Sequence, residues 1–215
     1  MYQPNHFRET RAEPLQSLIA SYPLATVVVN LESGLEINLL PMLLDAAAGE
    51  HGTLLGHVAS GNPLAQLDGL PATVLFHGPD AYISPNWYPS KQQHGKAVPT
   101  WNFAVVQARG RIRTYRDPAR LTALLTRLTD QFEASQAKPW QVSDVKADFL
   151  AQMHKAIVGI DIVLDSLEGK FKLSQNRSPA DFAGTLQGLR ATGKAGDATL
   201  ADWMAEADPA RSARQ

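Results

Sequence analysis

Short apolar runs rich in β-branched and aromatic residues alternate with turn sequences along much of the chain, a pattern typical of strands. Ser33-Gly34 separates two of these runs and predicts an antiparallel hairpin. His77-Gly78-Pro79-Asp80 separates two more, and this tight-turn sequence predicts a second hairpin. A longer run, 101–115, predicts a strand that bends at Gly110. The shorter predicted strands comprise residues 25–30, 35–40, 53–59, 73–76, 81–84, 157–164 and 170–173.

Apolar residues recur at helical spacing in other segments. Asp117-Pro118 and Ser178-Pro179 each combine an N-cap residue with a proline at the first helical position, so a helix is predicted to begin at each pair. A further helix, after Ser143, is expected to turn these side chains inward: Val145, Phe149, Leu150 and Met153. The predicted helices comprise residues 12–22, about 118–132, a segment after 143, 179 to about 190 and a last polar segment around Trp203.

The order of these elements bears on the fold class. The helices come late rather than in strict alternation with the strands, which favours a mainly β, α+β fold: an antiparallel barrel with peripheral helices. A doubly wound parallel sheet fits poorly, and the sequence lacks the glycine-rich dinucleotide fingerprint. The length of 215 residues and the hydrophobic content of 44% suit one core with an appended piece. We expect one domain over residues 1–192 and a helical tail over residues 193–215.

Composition and charge exclude several functional classes. The chain has no cysteine, which excludes disulfides, thiolate zinc sites, iron–sulfur clusters and a cysteine nucleophile. The formal net charge of -1 argues against a nonspecific nucleic-acid binder. No segment approaches the roughly 18 apolar residues of a membrane helix, and the N-terminus has no apolar signal core. We therefore expect a cytoplasmic protein without a membrane partner.

Aromatic rings, prolines and lysines are concentrated between residues 76 and 102, where Trp87, Trp101, Tyr82 and Tyr88 all lie. Aromatic side chains offer contact area at low entropic cost and prolines restrict φ, so the segment suits a surface that holds a flat ligand. The alternative is a proline-rich connection whose rings fill the core.

Two lysine-bearing runs supply candidate contacts to an anion. The first brings Ser84, Ser90 and Lys91 to one rim at the end of a strand, and these donors suit a phosphate monoester. In the second run, period-two spacing places Lys170 and Lys172 on one side of a strand. For each run the alternative is a solvated lysine face beside a buried ring.

Histidine and serine chemistry receives less support. The six histidines include no pair at the helical spacing of a metal site, so a zinc centre is not expected. His57 lies in an apolar strand, where a half-buried structural histidine is the preferred interpretation. Ser84 precedes a proline instead of lying in a nucleophile elbow, so a serine hydrolase is not supported.

Several of these segments correspond to motifs of a known family. The main blocks are residues 76–88 (FHGPDAYISPNWY), 98–103 (VPTWNF) and 169–176 (GKFKLSQN), and the lesser blocks are residues 1–4 (MYQP), 56–59 (GHVA), 62–63 (NP) and 157–159 (IVG). In this order they resemble the PaiB family of FMN-binding negative transcriptional regulators. The resemblance implies an FMN-binding split β-barrel of antiparallel Greek-key type, related to pyridoxamine-phosphate-oxidase-like flavoproteins. It also implies a homodimer with the flavin sites at the subunit interface.

The resemblance further implies which residues contact the flavin. Lys91 and Ser84 are expected to bind the FMN phosphate, and Trp101 or Trp87 is expected to stack on the isoalloxazine ring. The other expected contacts come from Thr100 and Asn102, at the ribityl chain or ring edges, and from Lys172, Gln175 and Asn176, in the same or the neighbouring subunit.

Two positions depart from the family pattern. Leu39 stands before leucine-proline where we expect a histidine, and Ser60 follows His57-Val58-Ala59 where we expect an arginine. If either family residue contacts the flavin or its phosphate, this chain lacks that contact.

The resemblance implies the leading functional hypothesis, an FMN-binding regulator that represses sporulation and degradative-enzyme genes, either on DNA or through a partner protein. No helix-turn-helix is evident, and Arg109, Arg111 and Arg113 alternate on a predicted strand, as on a solvated barrel face. The alternative is an FMN-dependent oxidoreductase, in which the flavin supplies the hydride chemistry. A lower alternative is a haem-binding or haem-degrading split barrel with His57 or His77 as an axial ligand.

Overall fold

A computed structural model of the chain describes residues 1–207. These residues form two compact units. The first unit comprises residues 1–18, 77–106 and 168–207, and the second comprises residues 19–76 and 107–167. The predicted boundary at residues 192 and 193 falls within the first unit and stays a prediction, and the end of the predicted tail, residues 208–215, lies outside the described residues.

Eight strands within the described residues form a sheet whose resolved pairings are all antiparallel, as the sequence predicts. The strands are β1 (Arg8–Glu9), β2 (Leu24–Leu31), β3 (Gly34–Pro41), β4 (Leu43–Asp45), β5 (Thr53–Ala59), β6 (Pro71–Ile83), β7 (Thr100–Tyr115) and β8 (Ile157–Lys172). Their order is β3-β2-β6-β7-β8-β5-β4, and β1 pairs with β8. The short strands β1 and β4 carry no clear signal in the sequence.

Six α-helices lie within the same residues: α1 (Ala12–Ser21), α2 (Pro89–His94), α3 (Pro118–Glu133), α4 (Ala147–Ala156), α5 (Pro179–Ala191) and α6 (Ala195–Glu206). The two predicted N-caps are confirmed, because Asp117 accepts a hydrogen bond from the Arg120 amide and Ser178 accepts one from the Asp181 amide. None of the helices is long and apolar enough to cross a bilayer. The short helix α2 was not predicted from the sequence, and it ends at Gly95, which has φ of 67°.

The first predicted hairpin is confirmed. Strands β2 and β3 pair antiparallel along their whole length, from Leu24 opposite Pro41 to Leu31 opposite Gly34. Gly34 closes the turn with φ of 120°, a conformation that L side chains rarely adopt.

The second predicted hairpin is wrong. Residues 73–76 and 81–84 were expected to face each other across a turn, but β6 runs without interruption from Pro71 to Ile83. Burial alternates on both sides of the expected turn and shifts by one position between Phe76 and Pro79. The turn-forming residues therefore mark an irregular point inside one long strand, where side-chain burial on both sides outweighs local turn propensity.

The expected break before Lys170 is also wrong. Strand β8 continues through Glu168-Gly169 to Lys172. A Cβ atom on Gly169 would lie 2.4 Å from Cδ2 of Leu15, so this glycine marks a close approach within the first unit instead of a turn.

The second unit has a core that includes α3. Leu43, Leu124 and Leu128 are buried together, with Leu55 and Tyr115 packed against them. Helical spacing predicts that Leu121, Leu124, Leu125, Leu128 and Phe132 lie on one face of α3. Leu121, Leu124 and Leu128 are buried, Leu125 is half-buried, and Phe132 is exposed.

The prediction that the apolar side chains of α4 point inward is wrong. Phe149 and Met153 are 52% and 39% exposed, Leu150 and Val145 are half-buried, and α4 has no buried residue. The spacing of apolar residues identifies an apolar face of a helix but does not say what covers that face.

Candidate functional site

The first unit carries a sheet face on which aromatic and charged side chains lie together. Successive side chains of a strand point to opposite faces, so alternate residues of β6, β7 and β8 share this face. Trp101 of β7 bonds to Asp80 of β6, and Lys170 of β8 lies over the ring of Phe103 of β7. The residues of this aromatic–cationic face are Asp80, Tyr82, Trp101, Phe103, Lys170 and Lys172.

Trp101 is fixed in place although it is half exposed. Its indole Nε1 donates a 2.7 Å hydrogen bond to Oδ1 of Asp80. The ring of Tyr82 meets the indole edge to face, with 6.2 Å between the ring centroids. The exposed fraction of Trp101 is 51%. A ring that is both fixed and exposed is a preorganised platform on which a flat ligand can stack.

A groove of about 340 Å³ opens beside Trp101. It is lined by His77, Gly78, Asp80, Trp101, Phe103, Ala104 and Val105. Apolar walls with a few polar groups are usual for small-molecule sites, and volumes of such sites begin at about 300 Å³. The groove therefore suits a fused aromatic ring system.

Lys172 borders this face at the end of β8. Its ammonium group donates to the Thr100 hydroxyl and, at 2.5 Å, to the carbonyl oxygen of Trp101. Burial, followed by the positive charges of Lys170 and Arg177, lowers the pKa of Lys172. The structure thus brings three of the predicted site residues together: Thr100, Trp101 and Lys172.

Lys170 lies among aromatic rings. Its Nζ is 5.4 Å from the ring centroid of Tyr2 and 5.5 Å from that of Phe103, distances at which a cation is attracted to a ring face. Within residues 1–207, neither Lys170 nor Lys172 forms an ion pair with a carboxylate. Their positive charge is therefore available to an anion.

Ser84 and Lys91 meet at Asn86, elsewhere in the first unit. Ser84 Oγ accepts a 3.2 Å hydrogen bond from the Asn86 amide, and the Lys91 ammonium donates to Oδ1 of Asn86. Lys91 is exposed and Ser84 is partly exposed. We call these three residues the Ser84–Lys91 corner, a polar and cationic group that suits a phosphate.

Trp87 packs against α5. A Cβ atom on Gly188 would lie 2.3 Å from Cδ2 of Trp87, so the indole rests directly on the helix backbone. A cavity of about 560 Å³ lies beside Trp87 and α5. Of the two tryptophans predicted to stack on a flavin, Trp101 has the more exposed ring and Trp87 the more closely packed one.

Asn102 is buried, with 1% of its surface exposed. Its Nδ2 donates to Oγ of Ser174 at 2.9 Å and approaches Sδ of Met204 at 3.6 Å. Oδ1 of Asn102 is buried and has no hydrogen-bond partner within residues 1–207. Ser174 has φ of 66°, in the left-handed region that residues other than glycine rarely occupy.

The two remaining predicted residues follow β8. Gln175 folds back on the strand end, where Oε1 accepts from the Leu173 amide at 2.8 Å and Nε2 donates to the Phe171 carbonyl at 2.6 Å. Asn176 is exposed. The structure therefore gathers the predicted residues into groups within the first unit, and the sequence did not identify Asp80 as the partner that fixes Trp101.

The second unit holds a charged cluster of a different kind. Arg120 donates to Oδ2 of Asp161 at 2.8 Å, and its guanidinium carbon lies 3.9 Å from the ring centroid of Tyr115. Burial, with a further contribution from the charge of Asp161, raises the pKa of Tyr115 to about 12. His57 is half-buried in β5, as expected, and burial lowers its pKa.

Comparison with known proteins agrees with these features. The sequence model of a family described as "Putative FMN-binding domain" matches residues 1–166. The chain belongs to this family. The protease synthase and sporulation protein PAI 2 of Bacillus subtilis is 30% identical over 195 residues, which cover 88% of this chain and 89% of that protein. Membership of the PaiB family, expected from the motifs, is confirmed, and FMN is the cofactor named in the description of the matching family.

Other relatives support the assignment and the fold class. An uncharacterized protein of Emericella nidulans is 34% identical to this PaiB-family chain over 230 residues, 90% of the chain and 92% of the relative. The FAD and heme binding protein of Mycobacterium smegmatis superposes with a TM-score of 0.57 at 18% identity, covering 82% of this chain and 79% of that one. A flavocytochrome of Azotobacter vinelandii gives a TM-score of 0.55 at 15% identity, covering 82% and 75%. The expected α+β split β-barrel class is confirmed.

Proposed function

We propose that the chain binds FMN with the isoalloxazine ring in the groove beside Trp101. The main support is the indole of Trp101. A hydrogen bond to Asp80 holds it in place, and it is half exposed beside a groove of about 340 Å³. Lys170 and Lys172, without carboxylate partners in the described residues, add positive charge to the same face. A flat aromatic ring system joined to a phosphate through a ribityl chain matches this combination of indole, apolar wall and ammonium groups.

We assign the remaining predicted site residues to parts of FMN according to the groups that surround them. Ser84 and Lys91 bind the phosphate, because their corner combines a hydroxyl with an exposed ammonium group. Thr100, which accepts a hydrogen bond from Lys172 beside Trp101, contacts the ribityl chain or a ring edge. Asn102 is predicted for the same role, but its side chain is buried, so a contact with the ligand requires a local rearrangement. Trp87 is the alternative stacking ring. Lys172 contributes from the same chain, where it bonds to the Trp101 carbonyl. Gln175 and Asn176 complete the site in the same or the partner subunit.

A titration with two ligands tests this proposal. FMN and riboflavin share the ring system and differ in the phosphate, and both lose fluorescence when an indole stacks on the ring. We expect Trp101→Ala to weaken both ligands and Lys91→Ala to weaken FMN alone, by about tenfold, the usual worth of one charge-assisted contact. Lys96→Ala, which removes another exposed lysine nearby in sequence, is the matched control and should change neither affinity.

A purified protein without flavin absorbance that quenches neither ligand at micromolar concentration has no flavin site. Unchanged FMN affinity in Lys91→Ala removes the phosphate role from that residue alone.

A homodimer forms the second part of the proposal, and an exposed apolar stripe in the second unit supports it. Leu35, Ile37 and Leu39 share one face of β3, the last strand in the sheet order, and are 63%, 58% and 66% exposed. Leu24 of β2 is 59% exposed. An apolar stripe of this kind on an edge strand is typical of an interaction surface. Leu39, at a position where the family pattern predicts histidine, extends the stripe.

Light scattering after size exclusion tests the dimer. We expect a dimer for the unmodified protein and a monomer for Ile37→Lys, because a charge in the stripe would be desolvated on association. Ser33→Lys adds the same charge in the exposed turn and should leave the dimer intact. A dimeric Ile37→Lys variant contradicts the proposed interface.

The regulatory role rests on the relative from Bacillus subtilis, whose name refers to protease synthesis and sporulation. We propose negative regulation that acts through a partner protein or through direct DNA contact. Arg109, Arg111 and Arg113 are exposed on β7, and two of them already contact the second unit's own loop: Arg111 donates to the Gly69 carbonyl and Arg113 lies 4.0 Å from Asp68. These engagements favour the indirect route. Mobility-shift assays with promoter DNA across salt concentrations decide, since retardation at low salt supports direct binding.

A flavin-dependent oxidoreductase is the second candidate, and the exposure of the aromatic–cationic face favours it. Tyr82 and Trp101 are 49% and 51% exposed, so a second molecule can approach this face. A bound flavin supplies hydride transfer, and the chain's residues bind and orient it. Bleaching of flavin absorbance by NADH or NADPH under anaerobic conditions supports an enzyme, and a flavin inert to both leaves a binding protein.

A further inference from the structure

The match to the family model ends at residue 166, before the helices α5 and α6. Both helices belong to the first unit. The two helices contact each other, each has a fully buried leucine, Leu189 and Leu200, and Arg190 lies 3.3 Å from Asp202. The family description names FMN binding and gives no role for these two helices. We therefore infer their role from the residues that they contact within the first unit.

The carboxylate of Asp181, in the first turn of α5, accepts two hydrogen bonds from Ser90 at the start of α2. Its Oδ1 accepts a 3.0 Å hydrogen bond from the Ser90 amide, and its Oδ2 accepts a 2.7 Å hydrogen bond from the Ser90 hydroxyl. Ser90 directly precedes Lys91, the lysine of the Ser84–Lys91 corner. Asp181 is 6% exposed, so water competes little with these bonds. The two bonds together fix both the backbone and the side chain next to Lys91.

The ionisation of Asp181 fits this role. Burial alone raises its pKa, but the hydrogen bonds from Ser90 and Ser178 and the charge of Arg177 outweigh burial and hold the pKa below its usual range. The carboxylate is therefore charged at neutral pH. A negative charge opposes a nearby phosphate, so electrostatic attraction gives no reason for Asp181 to lie beside an anion-binding corner, whereas geometric support does.

The same helix holds the middle of the segment. A Cβ atom on Gly184 would lie 2.1 Å from the carbonyl oxygen of Trp87, and one on Gly188 would meet the Trp87 ring at 2.3 Å. The backbone of α5 thus rests directly on Trp87, which lies between Ser84 and Lys91 in the chain. Only glycine at both positions permits this contact.

We propose that α5 positions the Ser84–Lys91 corner for the flavin phosphate and that Asp181 is the positioning residue. The inference rests on the proposed function, because it requires the corner to bind the phosphate of FMN. Asp181 acts through Ser90 and does not touch the ligand. Removing its carboxylate therefore releases the segment that carries Lys91 and leaves the ring groove intact.

The ratio of FMN affinity to riboflavin affinity tests the inference. We expect Asp181→Ala to weaken FMN roughly tenfold and riboflavin less than twofold, since the lost hydrogen bonds are to a charged group. Asp181→Asn keeps one acceptor oxygen and should restore part of the FMN affinity. Asp202→Ala removes an exposed carboxylate of the same helical pair and should leave both affinities unchanged.

The direction of the change separates positioning from charge alone. If Asp181 acts only as a nearby negative charge, its removal tightens FMN binding, and the inference is overturned. Equal weakening of FMN and riboflavin also overturns it, because it indicates general destabilisation. If the unmodified protein binds no FMN, the proposed function fails and this inference fails with it, whereas normal binding with an unchanged ratio in Asp181→Ala defeats the inference alone.

A second variant keeps the test decisive if Asp181→Ala does not fold. Ser90→Ala removes the hydroxyl bond and retains the amide bond to Asp181, so the fold should persist. We expect the same direction of change at about threefold. Circular dichroism and the thermal midpoint of each variant identify those that are folded, and an FMN-to-riboflavin ratio in Ser90→Ala equal to that of the unmodified protein refutes the positioning role.

Discussion

The lysines of the aromatic–cationic face differ in their partners from the arginines of α3. In the second unit, Arg120 and Arg127 of α3 each lie 2.8 Å from a carboxylate, Asp161 and Asp45. In the first unit, Lys170 lies against aromatic rings, and Lys172 bonds to neutral oxygens. Elsewhere in the first unit arginines are paired as well, Arg11 with Glu9 and Arg190 with Asp202. A paired cation stabilises the fold, whereas a cation without a counter-charge retains its attraction for a ligand. The two lysines of this face therefore support the proposed flavin site.

Arg120→Ala should produce the largest effect, on stability. It leaves Asp161 half-buried without its partner and removes the cation from the Tyr115 ring, so we expect a loss of about 2 kcal/mol, below the cost of a fully buried pair because Arg120 is partly exposed. Urea denaturation measures the change. Arg116→Ala, which loses only an exposed bond to the Ser60 hydroxyl, is the control and should cost less than about 0.5 kcal/mol. Equal free energies of unfolding for the two variants would contradict a stabilising role for the Arg120–Asp161 pair.

Lys172→Met should have the opposite profile. Methionine keeps the apolar stem and removes the charge, so FMN affinity should fall about tenfold, or about 1.4 kcal/mol, while the urea midpoint changes little. Fluorescence titration with FMN measures the affinity. Lys155→Met, on the exposed α4, provides the control. A large loss of stability with unchanged affinity would place Lys172 with the structural cations and break the comparison.

Trp101→Phe sharpens the comparison within the aromatic–cationic face. Phenylalanine retains a ring but loses the hydrogen bond to Asp80, so the platform is less firmly held. We expect FMN and riboflavin to bind about threefold more weakly, in keeping with the modest worth of one aromatic contact. Trp140→Phe changes another tryptophan with a similar exposure of 46% and should have no effect on either ligand. Equal effects from both variants would show that the indole of Trp101 is not special.

The pH dependence of stability gives the smallest expected effect, because it involves one half-buried neutral ring. Burial lowers the pKa of His57, so the unfolded chain binds the proton more readily than the folded one. The stabilising contribution is complete above the ordinary histidine pKa of about 6.5 and is lost as the pH falls below it. Urea midpoints at pH 7.5 and pH 5.5 should therefore differ less in His57→Gln than in the unmodified protein. An identical difference in both proteins contradicts the assignment.

Local signals predicted the parts of the fold that depend on neighbouring residues. Asp117-Pro118 and Ser178-Pro179 begin helices, and Ser33-Gly34 closes a hairpin, because caps and turns are decided within a few residues. The continuity of β6 could not be predicted in this way. His77-Gly78-Pro79-Asp80 has the composition of a turn, and only burial along both halves of the strand keeps the chain extended there.

The candidate site shows the same division. Aromatic and lysine density pointed to Trp101 and Lys172, because those residue types carry their chemistry visibly. The contact between Asp181 and Ser90 could not be predicted from the sequence. Asp181 lies 91 positions from Ser90 and resembles any acidic residue in the first turn of a helix. Likewise, the spacing of Phe149 and Met153 predicted an apolar face but not its exposure.

Ser174 combines a strained backbone conformation with a hydrogen bond to a buried side chain. Its left-handed backbone favours glycine, and a glycine there would relieve local strain, but it would also remove the hydroxyl that holds buried Asn102. Relieving the strain gains about 1 kcal/mol, and leaving the buried amide without its hydroxyl partner costs a similar amount, so Ser174→Gly should not stabilise the protein.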